Sequence, residues 1–251
     1  MEKEINKEKD NCFLIIGVDD AGRGCLIGNM VLAGVLMKSE LQNELKQQGI
    51  KDSKLLSPKQ REELVNKIQE KIIKHRVFMA TPLEIDTGMG EGLNLNQVEA
   101  LAAASIINEL TSELSIAEKQ NIKIILDCPS INTEGWKMQL LGYVKEKSLA
   151  SKILCEHKAD FNHPVVSAAS ILAKVTRDSE IEKIKIQLGQ DFGSGYPSDP
   201  KTKEFLKANV NNPELKGIFR ESWSTFREAK FGKQAREQTG QQPKKGKQTT
   251  L

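Results

Sequence analysis

Cysteine is scarce and dispersed. The four cysteines of this 251-residue chain, Cys12, Cys25, Cys128 and Cys155, form no Cys-x-x-Cys pair. That spacing excludes a disulfide frame or a zinc cluster and leads us to expect reduced thiols in a soluble, cytoplasmic protein. Long apolar runs are also missing. Segments such as 122–126 fall far short of the ~20 residues that a membrane-spanning helix needs, so no membrane association is expected. The charged start, MEKEINKEKD, contains no apolar core of a secretory signal. There is no Gly-x-Ser-x-Gly elbow, and His75, His157 and His163 lie in no recognisable triad, so nothing announces a protein nucleophile. A Walker A loop is absent, so glycine-rich stretches here do not signal nucleotide hydrolysis. No internal repeat is found.

Charge is plentiful but unevenly placed. The formal net charge is +3. Residues 233–251 carry Lys233, Arg236, Lys244, Lys245 and Lys247 against Glu237 alone, which leaves the body of the chain nearly neutral. Any nucleic-acid interface must then be a local patch. The composition of this tail, rich in Gln, Lys, Thr and Gly, predicts disorder.

With 38% hydrophobic residues, the chain can bury one sizeable core. Apolar runs predict strands over 13–18, 30–37, 77–80, 122–126 and 153–155. Ser57-Pro58-Lys59-Gln60 reads as a capped helix start, and Leu64, Val65, Ile68 and Ile72 follow at helical spacing. Asn96, with Glu99 three residues on, reads as a second cap. A long helix is expected over 167–188, a Gly/Pro-rich loop over 193–200, and helices over 201–208 and 222–231. The expectation is an α/β fold: a mixed sheet with helices on both faces.

In such sheets, sites gather at strand ends. The first strand runs into Gly17-Val18-Asp19-Asp20-Ala21-Gly22-Arg23-Gly24. It is expected to end in two adjacent carboxylates followed by a Gly-Arg-Gly turn. Asp127 and Asp160 also follow apolar strands. Oxygen ligands without a cysteine or histidine cluster favour hard cations such as Mg²⁺ or Mn²⁺. Two such ions about 3.5–4 Å apart can clamp a phosphodiester. A solvated turn remains open for any one of these acids taken singly.

The opening motif resembles that of ribonuclease HII, which usually reads Asp-Glu-Ala-Gly-Arg-Gly. The resemblance continues in family order. It runs through Asp52-Ser53-Lys54, Gly92-Leu93-Asn94, the strand ending at Asp127 and His157-Lys158-Ala159-Asp160. It then extends through Ser167-Ala168-Ala169-Ser170-Ile171-Leu172-Ala173-Lys174-Val175-Thr176-Arg177-Asp178. Ser194-Gly195-Tyr196-Pro197-Ser198-Asp199-Pro200 and Ser222-Trp223-Ser224-Thr225 look like the archaeal branch.

This resemblance implies an RNase H-like fold with a five-stranded sheet and a small C-terminal helical extension. It divides the chain into a polar leader (1–12), a catalytic domain (13–205), the extension (206–232) and the basic tail (233–251). It implies a monomeric endoribonuclease that cleaves RNA–DNA hybrids and incises duplex DNA at embedded ribonucleotides. Hydrolysis would use two Mg²⁺ or Mn²⁺ ions and leave 3′-hydroxyl and 5′-phosphate ends. By motif position the metal-binding acids are Asp19, Asp20, Asp127 and Asp160. Gly22, Arg23 and Gly24 would read the ribose 2′-hydroxyl, Tyr196 would pack on the next sugar, and Lys54, Lys174 and Arg177 would contact phosphate.

Asp20 stands where the family usually has Glu, one methylene longer. We expect activity to persist with a metal preference shifted toward Mn²⁺. The tail end, Lys247-Gln248-Thr249-Thr250-Leu251, is similar to the start of a sliding-clamp-binding motif but lacks its aromatic anchors. A hybrid-binding protein with impaired catalysis and a resolvase-like nuclease of the same fold stay open at this point.

Overall fold

A computed structural model describes residues 13–50 and 57–232. Lys54, the leader and the tail, including Gln248 to Leu251, lie outside the described residues. Among those described, five strands form one sheet in the order β3-β2-β1-β4-β5. They are β1 (Leu14–Ala21), β2 (Met30–Lys38), β3 (Lys74–Ala80), β4 (Ile122–Asp127) and β5 (Ile153–Glu156). β1, β2 and β3 pair antiparallel, whereas β4 joins β1 in parallel and β5 joins β4 in parallel.

The helices are α1 (Gln42–Gln47), α2 (Pro58–Gln69), α3 (Pro82–Gly90), α4 (Leu95–Thr111), α5 (Ile116–Gln120), α6 (Thr133–Tyr143), α7 (Ala159–Asn162), α8 (Pro164–Leu188), α9 (Pro200–Asn209) and α10 (Ser224–Phe231). None is long and apolar enough to cross a membrane. The mixed α/β architecture expected from the sequence is the one observed.

Strand alternation sorts the core into two layers. Ile16 and Val18 of β1 pack with Leu32, Ile124 and Leu126 against α4 and α6. Ile15 packs with Val31, Ala33 and Ile125 against α8 and α2. Helix α8 crosses β1 where there is no side chain. A Cβ on Gly17 would lie 2.5 Å from the carbonyl carbon of Val165, so glycine is what lets this helix approach the sheet. Neighbouring strand residues must then face opposite layers: Asp19 points toward α8 and Asp20 toward α4.

A third apolar cluster joins the segment after β1 to residues 181–226. Phe192, Phe205, Phe219 and Phe226 stack in series with centroids 5.4–5.8 Å apart. They enclose Leu26 and Ile27 from the segment after β1, together with Ile181 of α8. Ile27 bridges to Phe219 in antiparallel fashion.

Three sequence expectations are corrected here. β1 does not stop before the acids: Asp19 and Asp20 remain in the ladder opposite Ala33 and Leu32. Pairing with β2 overrides the turn preference of Asp. The α4 cap is Asn94, whose side chain accepts from the Gln97 N–H and whose own N–H donates to the Gln97 side-chain oxygen, not Asn96 with Glu99. Finally, α8 begins at Pro164 rather than Ser167.

Candidate active site

Asp19 and Asp20 occupy the last turn of the β1 pleat, and Asp127 ends the adjacent parallel strand β4. Asp19 is buried, and its Oδ1 accepts from the Asp20 N–H at 2.8 Å. Its carboxyl is pushed up to about 8, first by burial and then by the negative charges of Asp20 and Asp127, with the Ser170 hydroxyl of α8 acting in the opposite sense. Burial also raises Asp20, and the charge of Glu99 on α4 adds to it; Arg23 and Lys174 partly offset both. The pleat explains this division of neighbours, since Ser170 belongs to the α8 layer and Glu99 to the α4 layer.

Asp127 does more than present a charge. Its Oδ1 accepts from the Ala159 N–H at 2.7 Å, at the first residue of α7 and directly before Asp160. Asp160 is also buried, and its carbonyl accepts from the Ser167 hydroxyl of α8. The chain enters α7 through Lys158, whose φ of 58° is left-handed and is the only such non-glycine conformation among the described residues. Behind this turn, His163 Nε2 and Glu156 Oε1 stand 2.8 Å apart. Asp160 is thereby tethered to the strand end that carries Asp127.

The Gly22-Arg23-Gly24 turn follows β1 immediately. Gly22 has φ +77°, and a Cβ there would sit 2.8 Å from the Asn29 carbonyl oxygen. The Gly22 carbonyl accepts from Cys25 N at 3.2 Å and closes the turn. Arg220, fully buried in the C-terminal segment, clasps this turn from behind. It donates to the carbonyls of Gly22 and Arg23, each at 2.7 Å, and twice to that of Gly28, at 3.0 and 3.2 Å. In a trans peptide the N–H lies opposite the carbonyl, so the N–H groups of Arg23 and Gly24 face away from Arg220.

In front of the turn lies a hollow of about 350 Å³ lined by Asp20, Gly22, Arg23, Gly24, Lys174 and Tyr196, among others. Lys174 Nζ donates to Ser170 Oγ at 2.7 Å, which places this cation next to Asp19 through one hydroxyl. Arg177 is buried. It donates to the Ser194 carbonyl, to Cys25 Sγ at 3.0 Å and to Asp178, and its guanidinium stacks 4.9 Å from the Tyr196 ring centre. Both Nη groups of Arg177 are thus engaged by protein partners beside Tyr196, whereas its buried Nε has no hydrogen-bond partner among the described residues. Arg61 of α2, on the rim of the same hollow, pairs with Asp178 at 3.2 Å.

Two contributors escaped sequence reading. Glu99 is a carboxylate amid the apolar face of α4, which is an available but unused signal. Arg220 carries no local signal, because its partners are almost 200 residues away.

The donor set fits a hard divalent cation by its chemistry. It offers carboxylate oxygens on rigid strands, buried at a cost that a positive ion would relieve. Among the described residues, no three His, Cys, Asp or Glu side chains already stand in a metal-holding arrangement.

Residues 16–226 match the family Ribonuclease HII. The ribonuclease HII of Methanococcus maripaludis is 44% identical over 221 residues, covering 88% of each chain. That of Nanoarchaeum equitans is 43% identical over 82% of this chain and 92% of its own length. Among solved structures, the ribonuclease H2 of Pyrococcus horikoshii superposes with a TM-score of 0.74 at 36% identity, over 90% of this chain and all of the other. The ribonuclease HII in a complex with PCNA from Archaeoglobus fulgidus matches with a TM-score of 0.71 at 36% identity, over 84% of this chain and 95% of that one. The chain belongs to the ribonuclease HII family and is a metal-dependent endoribonuclease of RNase H-like fold.

Proposed function

We propose that this enzyme incises duplex DNA at embedded ribonucleotides as well as cleaving RNA–DNA hybrids, and that it leaves 3′-hydroxyl and 5′-phosphate ends. One juxtaposition supports the reading. Asp20 lines the same hollow as the Gly22-Arg23-Gly24 turn and Tyr196, and the buried Asp19 and the strand-end Asp127 stand close enough for their charges to act on one another. Asp19, Asp20, Asp127 and Asp160 would hold two Mg²⁺ or Mn²⁺ ions. When bound, the ions supply a water nucleophile at neutral pH and neutralise charge on the phosphate.

The protein's own residues do the selecting. The outward N–H groups of the turn donate to the ribose 2′-hydroxyl, the group that separates RNA from DNA. Tyr196, braced by Arg177, packs against the following sugar. Lys174 supplies positive charge beside the acids, and Lys54 would add a phosphate contact. The relative seen with PCNA supports a clamp partner for this chain too, reached through Gln248 to Leu251.

The decisive experiment uses a duplex with one ribonucleotide, assayed in Mg²⁺ and in Mn²⁺. Wild type should cut once, 5′ of the ribonucleotide, and faster in Mn²⁺. Asp127→Asn should retain binding and lose turnover. A wild type that binds this duplex but never cuts it, while cleaving long hybrids, would overturn the proposal.

A further inference from the structure

The sequence suggests that the guanidinium of Arg23 meets the substrate, but the structure directs it inward. Nε donates to Glu99 Oε2 at 2.7 Å and Nη2 to Asn96 Oδ1 at 2.5 Å. Asn96 is itself anchored, because its carbonyl accepts from the Trp136 indole N–H at 3.1 Å. Glu99 is 3% exposed, whereas Arg23 is 33% exposed. A carboxylate this buried is costly without a hydrogen-bonded cation. Here the cation comes from the very turn that lines the hollow. Arg220 fixes the turn's carbonyls, and Glu99 fixes its one long side chain to α4.

We propose that Glu99 is a positioning residue for ribose recognition: through Arg23 it sets the depth of the Gly22-Arg23-Gly24 turn in the hollow, and so the fit of its N–H groups to a 2′-hydroxyl. This rests on the reading above that the turn senses ribose. It separates two carboxylate roles in one cluster. Asp19, Asp20, Asp127 and Asp160 would hold the ions, whereas Glu99 serves the turn by holding Arg23. A bidentate arginine suits that task, since lysine cannot donate to Glu99 and Asn96 in a fixed fork.

The test is a double-mutant cycle on the single-ribonucleotide duplex, with KM and kcat measured separately. Glu99→Ala and Arg23→Ala should each raise KM about tenfold and lower kcat by less than about threefold. The double variant should be no worse than either single one. Glu99→Gln keeps an acceptor for Nε and should recover most of the loss. Arg23→Lys leaves Glu99 in place, so it covers the case in which Glu99→Ala does not fold; it should raise KM severalfold.

Losses that multiply in the double variant would show Glu99 acting independently of Arg23 and overturn the inference. So would a fall confined to kcat, or an Arg23→Lys enzyme with unchanged KM. A wild type inactive on this duplex would instead sink the ribonucleotide reading itself. The two failures are thus told apart.

Discussion

The metal-free protein should become less stable as pH rises, against the usual trend for acidic clusters. Asp19 has an ordinary value of 3.8 and is raised to about 8 in the fold. Asp20 and Glu99 move in the same direction, chiefly through burial. A group raised on folding holds a proton that the unfolded chain has already released. Stability from that proton is complete below the unfolded value and is lost as pH climbs through the folded one. Between about pH 5 and 7 the folded state binds at least one extra proton, so stability falls by about 1.4 kcal/mol per pH unit for each. For a chain of this size, 1 kcal/mol moves Tm by roughly 2–4 °C. The slope from Asp19 alone is then roughly 3–5 °C per pH unit. Acids held low, such as Asp191 and Asp199, titrate beneath this window and do not offset it. Melting curves in EDTA at fixed ionic strength from pH 5 to 8 would read the slope. Asp19→Asn should flatten it, and excess Mn²⁺ should do so by replacing the protons with cations. A Tm that stays level or rises across this range in EDTA would refute the argument.

Arg220→Lys replaces a fork that reaches three carbonyls with a single ammonium and loses at least two charged hydrogen bonds. At ~1.5–3 kcal/mol each, calorimetry should show a loss of about 3 kcal/mol or more, together with a raised KM; an unchanged Tm would contradict the clasp. Gly17→Ala drives a Cβ into the Val165 backbone at 2.5 Å and should cost roughly 3 kcal/mol, read by urea unfolding, because the obstacle is main chain rather than a movable side chain. At Lys158, held at φ 58°, a valine should cost about 1–2 kcal/mol and slow turnover by displacing Asp160, whereas glycine should keep both stability and rate; the reverse order of Tm would refute the strain.

The sheet was legible because its strands are apolar runs bounded by polar residues. The four acids were legible because each lies at or just past such a run. What escaped depends on distance along the chain. Asn94 with Gln97 and Asn96 with Glu99 offer the same local capping pattern, and helix propensity does not choose between them. The choice falls to Arg23, which takes the side chains of both Asn96 and Glu99 and leaves Asn94 as the cap. The true end of β1 was hidden for a similar reason: Asp and Gly favour turns locally, and only the ladder with β2 outweighs them. Helix α6, capped by Asn132 and buried through Trp136 and Leu140, was not anticipated, since two apolar anchors in eleven residues make a weak periodic signal.

The Arg220 clasp has a consequence for the order in which the enzyme is made. The turn is synthesised within the first tenth of the chain, yet the guanidinium that fixes its carbonyls lies 198 residues downstream of Gly22. At 5–20 residues per second, a ribosome needs roughly 10–40 s to supply it. Until then the turn is present without the group that fixes its carbonyls. The ribose-reading turn therefore gains its clasp only once Arg220 has been made, and a fragment that stops short of Arg220 should bind a ribonucleotide-containing duplex more weakly than the whole chain.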